Sequence, residues 1–437
     1  MQLTPKTWFA IAAAALGVAI VAFIALDPFG DDSGRPRIAQ TPPPAAPSSS
    51  SSQAKTSESL GFPAFATKDT TRIGGRDAAS NAAAAALAVF PGVDQRPQAV
   101  ALVPDGNWQA GLAAAVLMAP PLRAPLLIAA SGGGDLPSPT ADALDVLQPA
   151  GGDASDRAQV FAIAGTTAPG GLRGVNVPGA DPAAAAVAID RLRGRLASAP
   201  EPNHLLIVSE DDPAYAMPAA AWAARSGDPI FFTRRGSVPQ ATAIALKRHR
   251  GVPAYALGPE TAISPAAFRQ LRKLAPTLKR VAGPDPVATA IALAKFQDGT
   301  FGWNINDPGH GLVIANAARP MDAAAASPLS ASGKYGPLLL TDSAAKLPLL
   351  LRTYLLDIKP GYESDPTRAF YNHAWLIGDA AAIGLAMQSQ IDGLLELTQV
   401  GQTRAPTQVP APKPKPQPKP TAKAAPKATA KGKPAKH

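Results

Sequence analysis

One pattern occurs three times along this chain, and no other feature limits the fold so tightly. It opens on a short apolar stretch, a glycine and an aspartate. The copies read Arg72-Ile73-Gly74-Gly75-Arg76-Asp77, Val175-Asn176-Val177-Pro178-Gly179-Ala180-Asp181 and Arg280-Val281-Ala282-Gly283-Pro284-Asp285. The three aspartates are spaced by 104 and 104 residues, and an apolar, Ala-rich run follows each. Aspartate is a good helix N-cap, and the prolines at 182 and 286 suit a first helical position. All three aspartates therefore read as helix starts rather than as catalytic carboxylates.

The rest of the unit repeats in the same order. Apolar strands are expected at Ala99–Val103, Leu205–Val208 and Leu312–Ala315, followed by Ala-rich helices at Gln109–Met118, Ala214–Ala224 and Met321–Leu329. A proline then heads a second apolar run: Pro125-Leu126-Leu127-Ile128, Pro229-Ile230-Phe231-Phe232 and Pro337-Leu338-Leu339-Leu340. Next come the pairs Leu136-Pro137, Val238-Pro239 and Leu347-Pro348, a helix, and a third apolar strand closed by Gly165, Gly258 or Gly378. Short unbroken apolar runs alternating with helices indicate buried parallel strands. The expected fold is α/β: three tandem Rossmann-like repeats, each a parallel sheet with flanking helices, in a pseudo-threefold arrangement. The repeats are placed at 70–173, 174–278 and 279–397. Runs such as Ala219–Ala221 and Ala323–Ala326 are expected to let helices approach the sheets closely. The third repeat carries two additional segments, Gln297–Gly311 and Lys359–His373.

The ends of the chain differ from this body. Trp8–Leu26 contains nineteen residues without a charge. A helix of that length spans about 28 Å at ~1.5 Å per residue, enough for a bilayer core. It exceeds the apolar core of most signal peptides, and no good cleavage site follows it. The expectation is an uncleaved single-pass anchor in the plasma membrane, with residues 1–7 cytoplasmic and the body outside. Residues 27–69, with Pro42-Pro43-Pro44 and Ser48–Ser52, read as a disordered Pro/Ser-rich linker. Residues 398–437 read as a disordered tail rich in Lys, Pro and Ala.

Charge follows the same division. The formal net charge is +9. From Thr398 onward the chain has Arg404 and Lys413, Lys415, Lys419, Lys423, Lys427, Lys431, Lys433 and Lys436, with no Asp or Glu. The other 32 basic residues are matched by 32 acidic ones. The whole excess therefore sits in the tail. A neutral body argues against a specific nucleic-acid partner, whereas a polycationic tail suits anionic polymers. The chain has no cysteine, which removes disulfides, thiolate metal sites and cysteine nucleophiles.

At these residues the chain resembles the type 2 cell-wall-binding repeat family of Gram-positive bacterial surface proteins. Arg72–Asp77 is similar to the family's opening, Met321–Leu329 to its middle helix, and Pro229–Thr233 and Pro337–Thr341 to its P-I-L-L-T stretch. Ala256–Ser264 is similar to its closing segment. One departure is clear: the family's Arg-Tyr pair after the aspartate is Ala78-Ala79, Pro182-Ala183 and Pro286-Val287 here. The resemblance implies a compact three-repeat module that attaches non-covalently to anionic wall polymers. It implies ligand positions at Pro125, Leu126, Leu127, Ile128, Pro229, Ile230, Phe231, Phe232, Pro337, Leu338, Leu339 and Leu340. The same runs also read as core strands. Residues at their carboxyl ends lie where parallel sheets present binding loops: Ser131, Thr233, Arg234, Arg235, Thr341 and Asp342.

Other chemistry finds little support. Ser131-Gly132-Gly133-Gly134-Asp135 lacks the Lys-Ser/Thr of a phosphate loop. Glu210-Asp211-Asp212 is a carboxylate cluster at a strand end, read as a solvated loop. His204, His249, His310 and His373 show no metal-ligand spacing. The expectation is a monomeric, membrane-tethered wall-binding protein that is not an enzyme and uses no cofactor or metal. The alternatives are an envelope carbohydrate-active enzyme using carboxylates such as Glu210 and Asp212, or a protein-binding surface scaffold.

Overall fold

The computed structural model describes residues 65–196, 200–332 and 336–400. The expected anchor, most of the linker and nearly all of the tail lie outside the described residues. Among the described residues no helix is long and apolar enough to cross a membrane.

The chain is α/β, and each of its three main sheets has the same strand order. After a two-residue strand β1 (Phe65–Ala66), repeat 1 runs β2 (Thr70–Ile73), α1 (Ala78–Val89), β3 (Val100–Pro104), α2 (Trp108–Ala114), β4 (Leu126–Ala129), α3 (Ser138–Leu147) and β5 (Val160–Ile163). Repeat 2 runs β6 (Gly174–Val177), α4 (Pro182–Arg195), β7 (Leu205–Ser209), α5 (Pro213–Ser226), β8 (Ile230–Thr233), α6 (Gln240–Arg248), β9 (Ala254–Leu257) and α7 (Pro265–Leu274). Repeat 3 runs β10 (Lys279–Val281), α8 (Pro286–Lys295), β11 (Gly311–Asn316), the short helices α9 (Pro320–Ala325) and α10 (Ser327–Ala331), β12 (Leu338–Thr341) and α11 (Leu349–Asp357). It ends with β13 (Gly361–Tyr362), β14 (His373–Ile377), α12 (Leu385–Leu395) and β15 (Thr398–Gln399).

Sheets and sequence repeats are out of phase by one strand. The sheets are ordered β4-β3-β5-β6, β8-β7-β9-β10 and β12-β11-β14-β2, the last extended by β1. Thus β6 opens repeat 2 but pairs in parallel with β5 of repeat 1. Likewise β10 opens repeat 3 and pairs with β9 of repeat 2. The pattern closes on itself, because β2 opens repeat 1 and pairs in parallel with β14 of repeat 3, Arg72 facing Leu376. Among these four-strand cores the pairing is parallel throughout, as the unbroken apolar runs require.

The opening motif is the point where the chain passes from one sheet to the next. Asp77, Asp181 and Asp285 each accept a backbone N–H three residues ahead, from Ser80, Ala184 and Ala288 at 2.7–2.8 Å. The aspartates are N-caps, as their spacing predicts. The capped helices α1, α4 and α8 then pack on β4, β8 and β12 of their own repeats. Each opening strand belongs to the preceding sheet, and the helix after it covers the next.

The Ala-rich helices behave differently from expectation. They do not merely approach the sheets; they meet one another at the centre. Helix α5 packs against α2, α9, α10 and the 3-10 turn Ala115–Met118, and α9 packs against α2. Ala110, Ala113, Ala114, Ala219, Ala220, Ala223, Ala323 and Ala324 are almost completely buried there. A β-carbon built on Gly111 would lie 3.0 Å from the Ala324 β-carbon. Small side chains are what allow three helical units to share one axis at this separation. The excess of alanine is therefore partly a packing requirement. Substituting Ala324→Leu should lower stability by about 1–3 kcal/mol, the usual cost of overfilling a close-packed core. The same change at the exposed Ala266 of α7 should be near neutral, and urea unfolding of the two variants compares them directly.

Candidate functional site

The apolar positions implied by the resemblance are interior. Leu126, Leu127, Ile128, Ile230, Phe231, Phe232, Leu338, Leu339 and Leu340 have relative exposures of 0–1%. They form β4, β8 and β12 at one side of each sheet, where α1, α4 and α8 cover them. Pro125, Pro229 and Pro337 precede these strands, and their carbonyls accept hydrogen bonds from the strands alongside. A wall polymer cannot reach side chains closed off in this way. The core-strand reading of these runs replaces the ligand-surface reading, because burying consecutive large apolar residues is what stabilises each sheet.

The residues past the strand ends divide. Thr233 and Thr341 are fully buried. Thr233 Oγ1 donates to the Ser237 carbonyl at 3.0 Å and so closes its own loop. Ser131, Arg234 and Arg235 are exposed. Ser131 Oγ donates to the Asp105 carbonyl at 2.7 Å. Arg234 Nε donates to Glu210 Oε1 at 2.8 Å, and the Arg235 backbone N–H donates to Asp211 Oδ2 at 2.9 Å. Ser209 Oγ accepts from the Asp211 and Asp212 N–H groups. The carboxylate cluster and the two arginines thus form a single cross-braced rim at the carboxyl edge of β7 and β8. Two of its three carboxylates are occupied in bracing the loops. Among the described residues no group of His, Asp or Glu side chains is arranged to hold a metal ion.

Three arrangements at the junctions escaped the sequence reading. The first is Arg72, which is 3% exposed. Its Nη1 donates to the Gly378 and Asp379 carbonyls, Nη2 to Ile383 O at 2.6 Å, and Nε to Gln388 Oε1 at 3.1 Å. Every acceptor belongs to repeat 3. Arg280 does the same at the next junction, donating to the Gly258 and Ile263 carbonyls of repeat 2 while lying over the Phe268 ring. The opening arginine of the motif therefore fastens a repeat to its predecessor. Repeat 2 has Asn176 at this position.

The second is a buried polar cluster where repeats 1 and 3 meet. Asn81 Oδ1 accepts from the Gly75 N–H at 2.7 Å, and its Nδ2 donates to Asp322 Oδ1 at 2.7 Å. Arg319 Nε lies 2.8 Å from Asp322 Oδ2, and Arg319 Nη2 donates to the Arg76 carbonyl. Thr289 takes the place of Asn81 in repeat 3, its hydroxyl accepting from the Gly283 N–H at 3.0 Å. Burial raises the Asp322 carboxyl to about 6, against the opposing pull of Arg319 and the Asn81 bond. An aspartate inside an otherwise apolar helix was the available signal.

The third pins the insertion of repeat 3 onto repeat 2. Thr300 Oγ1 lies 3.2 Å from His204 Nε2, and His204 Nδ1 lies 3.1 Å from Asp228 Oδ2. Trp222 Nε1 donates to the same carboxylate oxygen at 2.8 Å. Hydroxyl, imidazole and carboxylate in line would suit a nucleophile, but the surroundings fit a clamp. The imidazole is enclosed by the edges of Tyr255 and Phe301, and Phe301 stacks on Tyr255 at 3.6 Å. These contacts show where the first part of segment Gln297–Gly311 goes: Thr300 and Phe301 pack into repeat 2, while Ile305 and His310 stay bonded to repeat 3.

Comparison with known proteins agrees with this geometry. Residues 280–387 match the model of the family described as Cell wall binding domain 2 (CWB2). The match starts in β10 and ends in α12, one whole turn of the repeat. No curated protein matches the sequence significantly. Among solved structures the chain is similar to Cwp8 from Clostridium difficile, with 18% identity and a TM-score of 0.57 over 75% of this chain and 52% of that one. It is similar also to Cwp6 from Clostridium difficile, with 19% identity and a TM-score of 0.57 over 75% and 48%. The chain thus spans about half the length of these structures, and at such identity they establish the fold alone.

The raised Asp322 carboxyl has a consequence for pH. An acid whose native proton affinity exceeds that of the unfolded chain stabilises the fold when protonated. That contribution is present at low pH and is lost as pH rises from the ordinary carboxylate range through about 6. Asp322→Asn should remove this loss. Relative to the variant, wild-type stability should fall by roughly 2–3 kcal/mol between pH ~4 and pH ~7, since each tenfold difference in proton affinity is worth about 1.4 kcal/mol. Urea unfolding across that range measures it. The third repeat thus matches the cell wall binding domain 2 family by sequence, and the body as a whole is similar in fold to Cwp8 and Cwp6.

Proposed function

We propose that this protein is a non-catalytic envelope protein that attaches to anionic cell-wall polymers through its three α/β repeats, with the cationic tail adding a second, unselective contact. The observation that carries this reading is the closed ring of three repeats, one of which matches a cell wall binding domain by sequence. Of the two carboxylates offered for an enzymatic alternative, Glu210 is paired with Arg234.

In this proposal residues 70–173, 174–278 and 279–397 are the three repeats, and the segment Trp8–Leu26 tethers the body to the plasma membrane with the body outside. The part of the linker that precedes β1 acts as the spacer, since Phe65–Ala66 already pair with β2. The interior strands form the scaffold, and contact with polymer falls to the exposed strand-end rim, including Ser131, Arg234 and Arg235, and to grooves between helices. The protein acts as a monomer whose internal repeats supply the multiple contacts.

The body and tail should be separable by salt. The excess charge of the chain lies in the tail, so its attraction to a polyanion is long-ranged and screened over about 8 Å at physiological ionic strength. The body is formally neutral and binds only through shaped surfaces. Deleting Arg404–His437 should therefore weaken binding to isolated walls mainly at low salt, leaving a salt-resistant component. A binding series on walls from low to high salt checks this. Complete loss of binding at every salt concentration would assign the wall attachment to the tail and leave the repeats a scaffold.

A further inference from the structure

The body is neutral as a whole, but its charge is not shared evenly among the repeats. Residues 174–278 hold 12 Lys and Arg against 8 Asp and Glu, residues 70–173 hold 6 against 8, and residues 279–397 hold 9 against 11. The middle repeat is cationic between two acidic ones. The excess is placed where the fold makes a groove.

Each repeat packs its opening helix beside the helix that follows the second apolar run: α1 with α3, α4 with α6, and α8 with α11. These three equivalent places differ sharply. Helix α1 has no charged residue, and α3 carries Asp142 and Asp145 and no base. Helix α8 ends in Lys295, which lies 3.7 Å from Asp357 of α11. Helix α4 ends with Arg191, Arg193 and Arg195, and α6 with Lys247 and Arg248, followed by His249 and Arg250.

Two hollows adjoin along α4 and share Arg191 and Arg195. One, of about 410 Å³, has apolar walls that include Pro178, Val187, Ala241 and Ile244. The other, of about 590 Å³, is bounded by Arg193, Arg248 and His249. Part of this set is committed to the fold. The buried Asp190 pairs with Arg248 and, at 3.0 Å, with His249. Burial first, and then Arg248, hold His249 below its ordinary value. Arg193 is buried, donates Nη1 to the Pro200 carbonyl at 3.1 Å, and lies against Gly227 at the end of α5. Glu201 borders the same hollow and is exposed. Arg191 and Arg195 are exposed, and among the described residues neither has an acidic partner within ion-pair distance. They separate an apolar trough from a cationic one.

We infer that this trough on repeat 2, between α4 and α6, is the seat of an anionic glycan, with Arg191 and Arg195 holding its charged groups. The inference rests on the wall-binding reading and locates the ligand within it. An anionic polysaccharide alternates apolar ring faces with phosphodiester or carboxylate groups. The Val187–Ile244 side suits the former and two uncommitted guanidinium forks suit the latter. The other two repeats, lacking these bases, complete the ring that holds repeat 2 in place.

The test uses the full chain at a salt concentration high enough to screen the tail. Arg191→Gln/Arg195→Gln removes the two uncommitted bases. Arg272→Gln/Lys273→Gln on α7 removes the same charge from another exposed face of repeat 2 and serves as control. All four positions are exposed, so both variants should melt as the wild type does. Polyphosphate and polygalacturonate are the soluble probes, separating phosphate from carboxylate recognition. The first variant should bind at least one of them about tenfold more weakly or worse, as expected for lost charge-assisted hydrogen bonds, and the control less than about twofold. Equal losses in both variants would reduce the effect to general charge and overturn the proposal, as would no loss in the first. Isolated walls provide the separate arm. A wild type that binds the soluble probe through Arg191 and Arg195 but fails on walls would sink the wall-binding reading and leave the trough standing. Undiminished wall binding by the first variant would do the reverse.

Discussion

The shared opening strand is the interaction on which the rest of this structure depends. A repeat that kept all its strands to itself would leave the ring held only by side-chain contacts at its centre. Here each sheet takes its fourth strand from the following repeat, and the last sheet takes it from the first. The main-chain ladder therefore crosses every junction, with Arg72 and Arg280 adding buried charge-assisted bonds at two of them. The aspartate cap that follows must end one element and start another within a few residues, which is why it recurs at a fixed spacing. The central alanines follow from the same closure. With three sheets linked edge to helix around one axis, the second helices meet at short separation, and only small side chains fit.

Closure also decides what is left for recognition. The most distinctive apolar runs of the sequence are spent on the core and are covered on both faces. What remains outside are the strand-end loops, cross-braced by pairs such as Arg234 with Glu210, and the grooves between helix pairs. The loops are alike in position but not in chemistry: Ser131 in repeat 1, the Arg234-Arg235 rim in repeat 2, and Asp342-Ser343 in repeat 3. The grooves differ even more. Three copies of one scaffold thus carry three different surfaces, and a polymer that needs a cationic trough finds it on one copy.

Much of the fold was legible in the sequence because it depends on local signals that repeat. The caps at Asp77, Asp181 and Asp285, the parallel strands and their order along each unit all follow from spacing and apolar runs. The phase of the sheets was not legible. Nothing in β2 distinguishes a strand that joins its own repeat from one that joins the repeat at the far end of the chain, since both are short and parallel. The same limit hid the role of Arg72, whose acceptors lie more than 300 residues away. The candidate site was legible only at its edges. The P-I-L-L runs drew attention as motifs, although a run of four buried residues is first a strand. The arginines of α4 alternate over the end of a single helix, and they become part of a larger basic cluster only when α6 and its own basic end are brought alongside.

Recognition of wall polymer as a shaped ligand by this body is the claim on which everything functional rests. The most direct measurement is capture of the protein by purified walls, compared before and after the secondary polymers are stripped from them, at a salt concentration that screens the tail. Firm capture by intact walls, and its loss on stripping, is the expected result. Equal capture by both preparations, or none by either, would contradict it.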